Sequence, residues 1–284
     1  MWSSKLLGLL LIAFSLGVTG GCQPLQVNSV ADRLEPSNLR PWSPQFSQLP
    51  FATSNPDGTI QVQNIRNNLY LTEHDFVPRY YDRTIQLRDI QGVDFVVCPF
   101  EKFESLAHTM VSFRLADNTY MGVSAEIRTE PGESFSPLIG LSNQFEMTYV
   151  VADERDLIRL RTRHRQADVY IYPTVASPEQ AQALFLEMME RANQLAQKPE
   201  FYHTLMNNCT TNIRDHINRL QPGRITYNWR LLLPGYSAAY AYDQGFLDRT
   251  YPFSELQERG WVNQLAERYY DDPEFSIKIR QNLR

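Results

Sequence analysis

Apolar and polar positions alternate most strictly on either side of Ala116–Thr119. Before that point Val111, Phe113 and Leu115 are apolar, while His108, Ser112 and Arg114 occupy even positions. After it Met121, Val123, Ala125 and Ile127 are apolar, and Ser124, Glu126 and Arg128 are polar. A period of two is that of a strand, and Asp117-Asn118 is a turn, so the stretch predicts a β-hairpin. If both apolar rows enter one core, all even-numbered residues share the other face. His108 and Glu126 then lie near each other whatever the register. Shorter runs predict further strands: TIQVQNI (59–65), RYYDRTIQLRDI (79–90), DFVVCPF (94–100), FEMTYVVA (145–152) and ADVYIYPTV (167–175).

The pattern changes period after Ser177. A serine before Pro178 is an N-cap with proline at the first helical position. It predicts a helix to about Gln197 that buries Ala181, Leu184, Phe185, Met188, Met189 and Leu195, with Pro199 beyond its end. In FYHTLMNNCTTNIRDHINRL (201–220), Ile213, Ile217 and Leu220 recur at helical spacing, and Asn207 or Asn208 can cap the start. DERDLIRLRTRHRQ (153–166) is ambiguous, because Arg159, Arg161, Arg163 and Arg165 alternate while the composition permits a helix. The charged stretch around 254 to 270 reads as helical.

Length and charge add little to this. The 284 residues suffice for one large domain or two small ones. A net charge of −5 is neither basic enough for general nucleic-acid binding nor acidic enough for disorder. The N-terminus is more informative. One positive charge in MWSSK precedes LLGLLLIAFSLGV (6–18), which is too short to span a bilayer comfortably. TGGCQP follows and resembles a bacterial lipoprotein signal, in which Cys22 is lipidated and becomes the first mature residue; an ordinary cleaved signal peptide is the alternative. Gln23, rather than Asp, gives no sign of retention at the inner membrane, so the outer membrane is favoured. Residues 1–22 are thus expected to be a signal, 23–58 a proline-rich tether or loosely docked arm, and 59–284 a single domain.

With Cys22 assigned to the signal, Cys98 and Cys209 remain, and both are expected to be free thiols. Cys98 lies in an apolar strand and reads as buried and inert. Cys209 stands directly before a helical run, where unpaired N–H groups and the positive end of the helix dipole stabilise negative charge on sulfur. The thiolate is the nucleophile, and it requires a base. His108, with a carboxylate on its own strand face, is the first candidate, and Glu126 would orient and stabilise its ring. His203 is the second. His216 stands about 10 Å along the same helix, too far to touch the thiol. His74 and His164 sit among charged residues and read as solvated. No pair of His or Cys has metal-ligand spacing and no phosphate loop is present, so no cofactor is expected.

Six blocks in order, FESLAHTMVSF, GVSAEIRTEPGE, YVVADERDLIRLRT, PEFYHTLMNNCTTNI, LLPGYSAAYAYDQGFLD and FSIKIR, resemble the Lnb N-terminal periplasmic domain family. Lnb is a bacterial lipoprotein N-acyltransferase. The resemblance runs from roughly residue 80 onward. The order of histidine first and Asn-Cys later is also similar to permuted papain-like proteins, including NlpC/P60 and lecithin:retinol acyltransferase relatives. These likenesses imply an α+β fold, with the cysteine helix packed on a small antiparallel sheet that carries the histidine. They imply Cys209 as nucleophile and His108 as base. The role of Glu126 follows from strand parity instead. Asn207, Asn208 or a backbone N–H near Cys209 is the expected oxyanion donor.

The expected function is thiol-dependent acyl transfer at the periplasmic side of the cell envelope, from a membrane lipid ester to a lipoprotein N-terminus or water. Arg155, Arg159, Arg161 and Arg163 would hold a phospholipid headgroup, unless they form a solvated face. A papain-like cell-wall amidase or endopeptidase is the second expectation, and a non-catalytic lipid-anchored protein the third.

Overall fold

The structure, a computed structural model, describes residues 35–101 and 103–283. The expected signal, Cys22 and the first part of the proline-rich arm lie outside them. The strands are β1 (Phe51–Ser54), β2 (Thr59–Arg66), β3 (Leu69–Tyr70), β4 (Phe76–Val77) and β5 (Tyr80–Gln86). Next come β6 (Ile90–Phe100), β7 (Phe103–Leu115), β8 (Tyr120–Arg128), β9 (Glu146–Asp153) and β10 (Tyr170–Pro173). Among the described residues, eight of them form one mixed sheet in the order β1-β2-β9-β8-β7-β6-β10, with β5 also on β2; β3 and β4 pair separately. All neighbours are antiparallel except β2 and β9, which meet in parallel at Arg66 and Ala152.

The alternating hairpin forms as expected. Val111 pairs with Val123 and Arg114 with Tyr120, and Asn118 takes the left-handed conformation (φ 62°) that asparagine tolerates in such turns. Odd-numbered Val111, Phe113, Met121 and Val123 enter one core. There they meet α2 (Pro178–Gln197), through Leu184, Phe185, Met188 and Met189, and α3 (Cys209–Leu220), through Ile213 and Ile217. The capping of α2 is the one read from Ser177-Pro178, with a reciprocal hydrogen-bonded box between Ser177 and Gln180.

The even-numbered face is covered too, which alternation alone does not reveal. Met110, Val96, Cys98 and Val150 pack there against Leu157, Ile158, Leu265, Phe275 and Ile279. The chain is therefore α+β, with a mixed sheet and helices on both faces. The ambiguous stretch resolves as helix, α1 (Glu154–Arg159) running into a wider π-helical turn over Leu160–His164. The C-terminal charged stretch is helical over Phe253–Gly260 and Asn263–Arg268, with a break at Trp261.

Two expectations need correction. From residue 35 onward the proline-rich segment is part of the fold: Phe46 is buried, Asn38 bonds the last carbonyls of α2, and β1 pairs along β2. Prolines removed donors but left enough alternation after Pro50 for an edge strand. Leu220, expected in the buried stripe of α3, is exposed because the helix ends there beyond the sheet.

Candidate active site

Strand parity poses a problem for the expected dyad. Helix α3 lies on the odd-numbered face, where the Thr210 and Thr109 hydroxyls bond at 3.0 Å. His108 is even-numbered and points to the other side. The sheet resolves the conflict by splitting. The β6–β7 ladder continues down to His108 and Ala107, and the β8–β9 ladder to Arg128, but the β7–β8 ladder stops at Val111 and Val123. Below that pair a cavity of about 790 Å³ opens between the strands. Residues of both parities line it: Ala107 and His108 from β7, Ala125 and Glu126 from β8, Asn208 and Cys209 from the start of α3. Small side chains at Ala107 and Ala125 leave the passage open.

Cys209 is the first residue of α3 and is buried, with Sγ 4.0 Å from the Ala107 carbonyl and 3.9 Å from the Thr210 hydroxyl. It is a free thiol, as is Cys98. Cys98 is buried in the second core, and burial raises its thiol pKa to about 11, in keeping with an inert role. No hydrogen bond joins Cys209 to His108 among the described residues. Such bonds often tighten only when substrate enters, so both groups opening into one cavity is the relevant observation.

His108 is held by a chain of groups. His108 Nε2 lies 2.6 Å from Ser124 Oγ, which donates to Glu126 Oε1 at 3.0 Å. Arg161 Nη2 donates to the same carboxylate oxygen at 3.0 Å, and His108 Nε2 is 3.7 Å from it. Burial disfavours the Glu126 carboxylate, but Arg161, His108, Arg66 and Arg165 outweigh it and hold its pKa at about 2. Glu126 is thus an acceptor, so the single Ser124 proton points at it. Ser124 Oγ must then accept from His108 Nε2–H. Nδ1, which has no hydrogen bond among the described residues, therefore carries the lone pair. Burial, and after it the Arg161 guanidinium, push the His108 pKa down to about 3, so the ring is neutral near pH 7.

Ser124 is the member that sequence reasoning passed over. Its even parity beside His108 and Glu126 was the available signal.

Asn208 takes the capping role expected of one of the two asparagines, and the side chains of both are engaged within the turn. Asn208 caps α3: its Oδ1 accepts Thr211 N–H at 2.8 Å and its Nδ2 donates to Thr204 O. Asn207 Nδ2 donates to Phe201 O, and its Oδ1 accepts from Asn212. Both side chains build the turn before the cysteine. The backbone N–H groups of Cys209 and Thr210, at the first two helical positions, have no hydrogen-bond acceptor among the described residues and are free to donate to a bound group.

The arginines divide between the cavity and the C-terminal segment. Arg161 is buried against Glu126 and lines the cavity, whereas Arg155 donates to Asp272 and Pro273 carbonyls. Arg159 stacks on Tyr270 and Phe275, and Arg163 on Tyr270 with Glu267 beside it. Three of the four fasten the C-terminal segment and do not line the cavity. His203 accepts the N–H groups of Leu205 and Met206 within its own turn, and His216 is buried against Tyr149. His74 alone of the remaining histidines reaches the cavity lining.

A second cavity of about 430 Å³, more apolar than the first, begins one residue beyond the cysteine. Thr210, Ile213 and Ile217 line it along α3, with Val111, Leu184 and Phe246 opposite.

Comparison with known proteins places the chain in a family. No curated protein and no solved structure matches the chain. The family model of the Lnb N-terminal periplasmic domain matches residues 76–235, a span that holds His108, Ser124, Glu126, Arg161 and Cys209. The match covers more than half of the sequence, and the chain belongs to the Lnb N-terminal periplasmic domain family.

Proposed function

We propose that the protein is a thiol acyltransferase of the periplasmic cell envelope, lipid-anchored through Cys22, that takes an acyl group from a lipid ester. The observation that carries this is the shared cavity: a cysteine at a helix start and a histidine with its Nδ1 lone pair free open into the same space. His108 Nδ1 takes the thiol proton as Sγ bonds to the ester carbonyl carbon. The oxyanion sits against the Cys209 and Thr210 N–H groups. Collapse breaks the ester C–O bond, and His108 returns the proton to the leaving alkoxide, giving a free alcohol and a thioester. An amine or water then attacks the thioester, loses a proton through His108, and restores the thiol. A neutral His108 suits this sequence, since it acts as a general base rather than as half of a standing ion pair.

The arrangement also supports a papain-like reading of the site: helix-start cysteine, strand histidine, polar third group. It favours acyl over peptide substrates for one reason. A second, more apolar cavity begins at Thr210, the residue after the nucleophile, and its lining of Val111, Leu184, Ile213 and Ile217 suits an acyl chain better than a peptide backbone.

Incubation of the purified protein with phospholipid should give an acyl adduct on Cys209, detectable by mass spectrometry of the Cys209 peptide. Cys209→Ser should lose acyl transfer by at least about a hundredfold, on the scale of losing a catalytic nucleophile. Retention of full activity in that variant would overturn the mechanism. Release of cleaved muropeptide without any lipid product would move the assignment to a cell-wall amidase.

A further inference from the structure

Large exposed apolar side chains gather at one end of the sheet. Because β6 to β9 run antiparallel, β6 and β8 end there and β7 and β9 begin there. Phe103 opens β7, Leu138 lies in the β8–β9 connection, and Leu205 and Met206 precede Cys209. Trp229 and Tyr236 belong to the segment that packs on Glu104. Leu138 is 79% exposed, Met206 69% and Trp229 57%. Single exposed apolar residues are ordinary; a group of them around one cavity mouth is not.

The loops carrying them are fastened in place. Thr204 N donates to Gly140 O at 3.0 Å and Thr204 Oγ1 to Pro137 O at 2.8 Å. Gly235 sits so close to the Glu104 carbonyl that no Cβ would fit. The rings of Trp229 and Tyr236 meet edge-on, with centroids 5.3 Å apart. These contacts hold the side chains outward around the entrance, where Phe135 and Pro234 line the cavity.

The N-terminal part of the chain enters at this same end. Ser37 N and Arg40 Nε both bond Glu146 Oε1, on the first residue of β9, at 3.2 and 2.6 Å. Beyond it lie Cys22 and the apolar run 6–18. The stretch from Cys22 to Glu35 reaches at most about 45 Å, so a bilayer holding either Cys22 or that run would lie within reach of this face.

We propose that this end of the sheet is a membrane-docking surface that seats in the headgroup–acyl boundary of a phospholipid bilayer and turns the cavity mouth toward the lipid. A rim of tryptophan, tyrosine and aliphatic side chains suits that boundary, where one end of the aromatic ring is apolar and the other wet. The surface stands independently of the acyl-transfer reading, since none of its contacts involves Cys209 or His108.

The test uses the full chain in phosphatidylcholine vesicles with or without bromine on the acyl chains, which quenches tryptophan at that depth. The Trp229 signal is the difference between the parent and Trp229→Phe. Bromolipid should lower it by about half or more. A Leu138→Asp, Met206→Asp double variant, changed only at exposed positions, should regain most of the lost signal. Cys209→Ser should be quenched like the parent, whether or not an acyl adduct forms. An equal Trp229 signal in both vesicle types would overturn the proposal. That includes the outcome in which the signal is blue-shifted in both, because residues 6–18 of the chain itself cover the face.

Discussion

Ser124 decides which nitrogen of His108 carries the proton. A carboxylate directly against the ring would also favour an imidazolium, but here the serine intervenes and Arg161 shares the carboxylate. The histidine is thereby oriented without being charged. Replacing Arg161 should change that balance. In Arg161→Gln the cation beside His108 is lost and the Glu126 charge acts on the ring unopposed by it. The His108 pKa should rise by about one unit or more, as expected for an ionised neighbour within a few ångströms. NMR titration of the ring is the direct readout: the parent stays neutral through pH 5, and the variant titrates at higher pH. A His108 that titrates identically in both would show that Arg161 has no part in setting the base. Much of this arrangement was legible beforehand. Parity alone joins His108 to Glu126, and the helix start marks Cys209. A capping asparagine was legible, but not which of the two it is, because a capping amide and an oxyanion donor look alike in sequence. Only the partners Thr204, Thr211, Phe201 and Asn212 distinguish them.

At the scale of elements, the site exists because two paired strands part company. Alternation predicted the β7–β8 hairpin, and the ladder confirms it near the turn. Alternation cannot say how far down a ladder persists, so it could not show that His108 and Cys209 open into one cavity below the last paired residues. The contact between the Pro234–Tyr236 turn and the start of β7 bounds that gap on one side. A Cβ on Gly235 would lie 1.9 Å from Glu104 O and 2.8 Å from Ser105 C, both backbone atoms with no rotamer to yield. Gly235→Ala should therefore push the turn off β7 and carry Pro234, a cavity-lining residue, with it. The expected cost is about 1–3 kcal/mol in denaturant unfolding, comparable to overpacking a core. Acyl-adduct formation on Cys209 should fall as well. Unchanged stability would mean that this turn is free to shift, and that it does not define the entrance.

Across the whole molecule, the second core and its ion pairs are what sequence patterns conceal most. Arg280, near the C-terminus, is buried against Glu154 and Asp94, and Arg66 is buried against Asp156. In the sequence all five read as ordinary surface charges. The Arg280 pairs tie the C-terminal segment to the face that alternation marked as polar, the Arg66–Asp156 pair ties β2 to α1, and removing one partner of either leaves an uncompensated buried charge.

A further buried group gives the fold a defined response to acid. His216 is 1% exposed, bonds the Tyr149 hydroxyl through Nε2 at 2.5 Å, and has its pKa pushed down to about 4 chiefly by burial, with Glu187 opposing. Above pH 6.5 the ring is neutral in both folded and unfolded chains and has no effect on the balance. Between about 6.5 and 4 the unfolded chain binds a proton that the folded one refuses, so stability falls as pH falls. Below about 4 both chains bind the proton and the penalty has reached its full size. The most it can amount to is about 3 kcal/mol, from the size of the shift. Glu126 acts in the same direction at lower pH, since its carboxylate is held near pKa 2 and protonation below its ordinary range removes the Arg161 contact. The melting temperature should drop steadily from pH 6.5 to 4 in the parent. In His216→Gln, which keeps a polar group beside Tyr149 and cannot titrate, the starting value should be lower but the slope over that interval shallower. Equal slopes in the two proteins would assign the acid sensitivity to other groups.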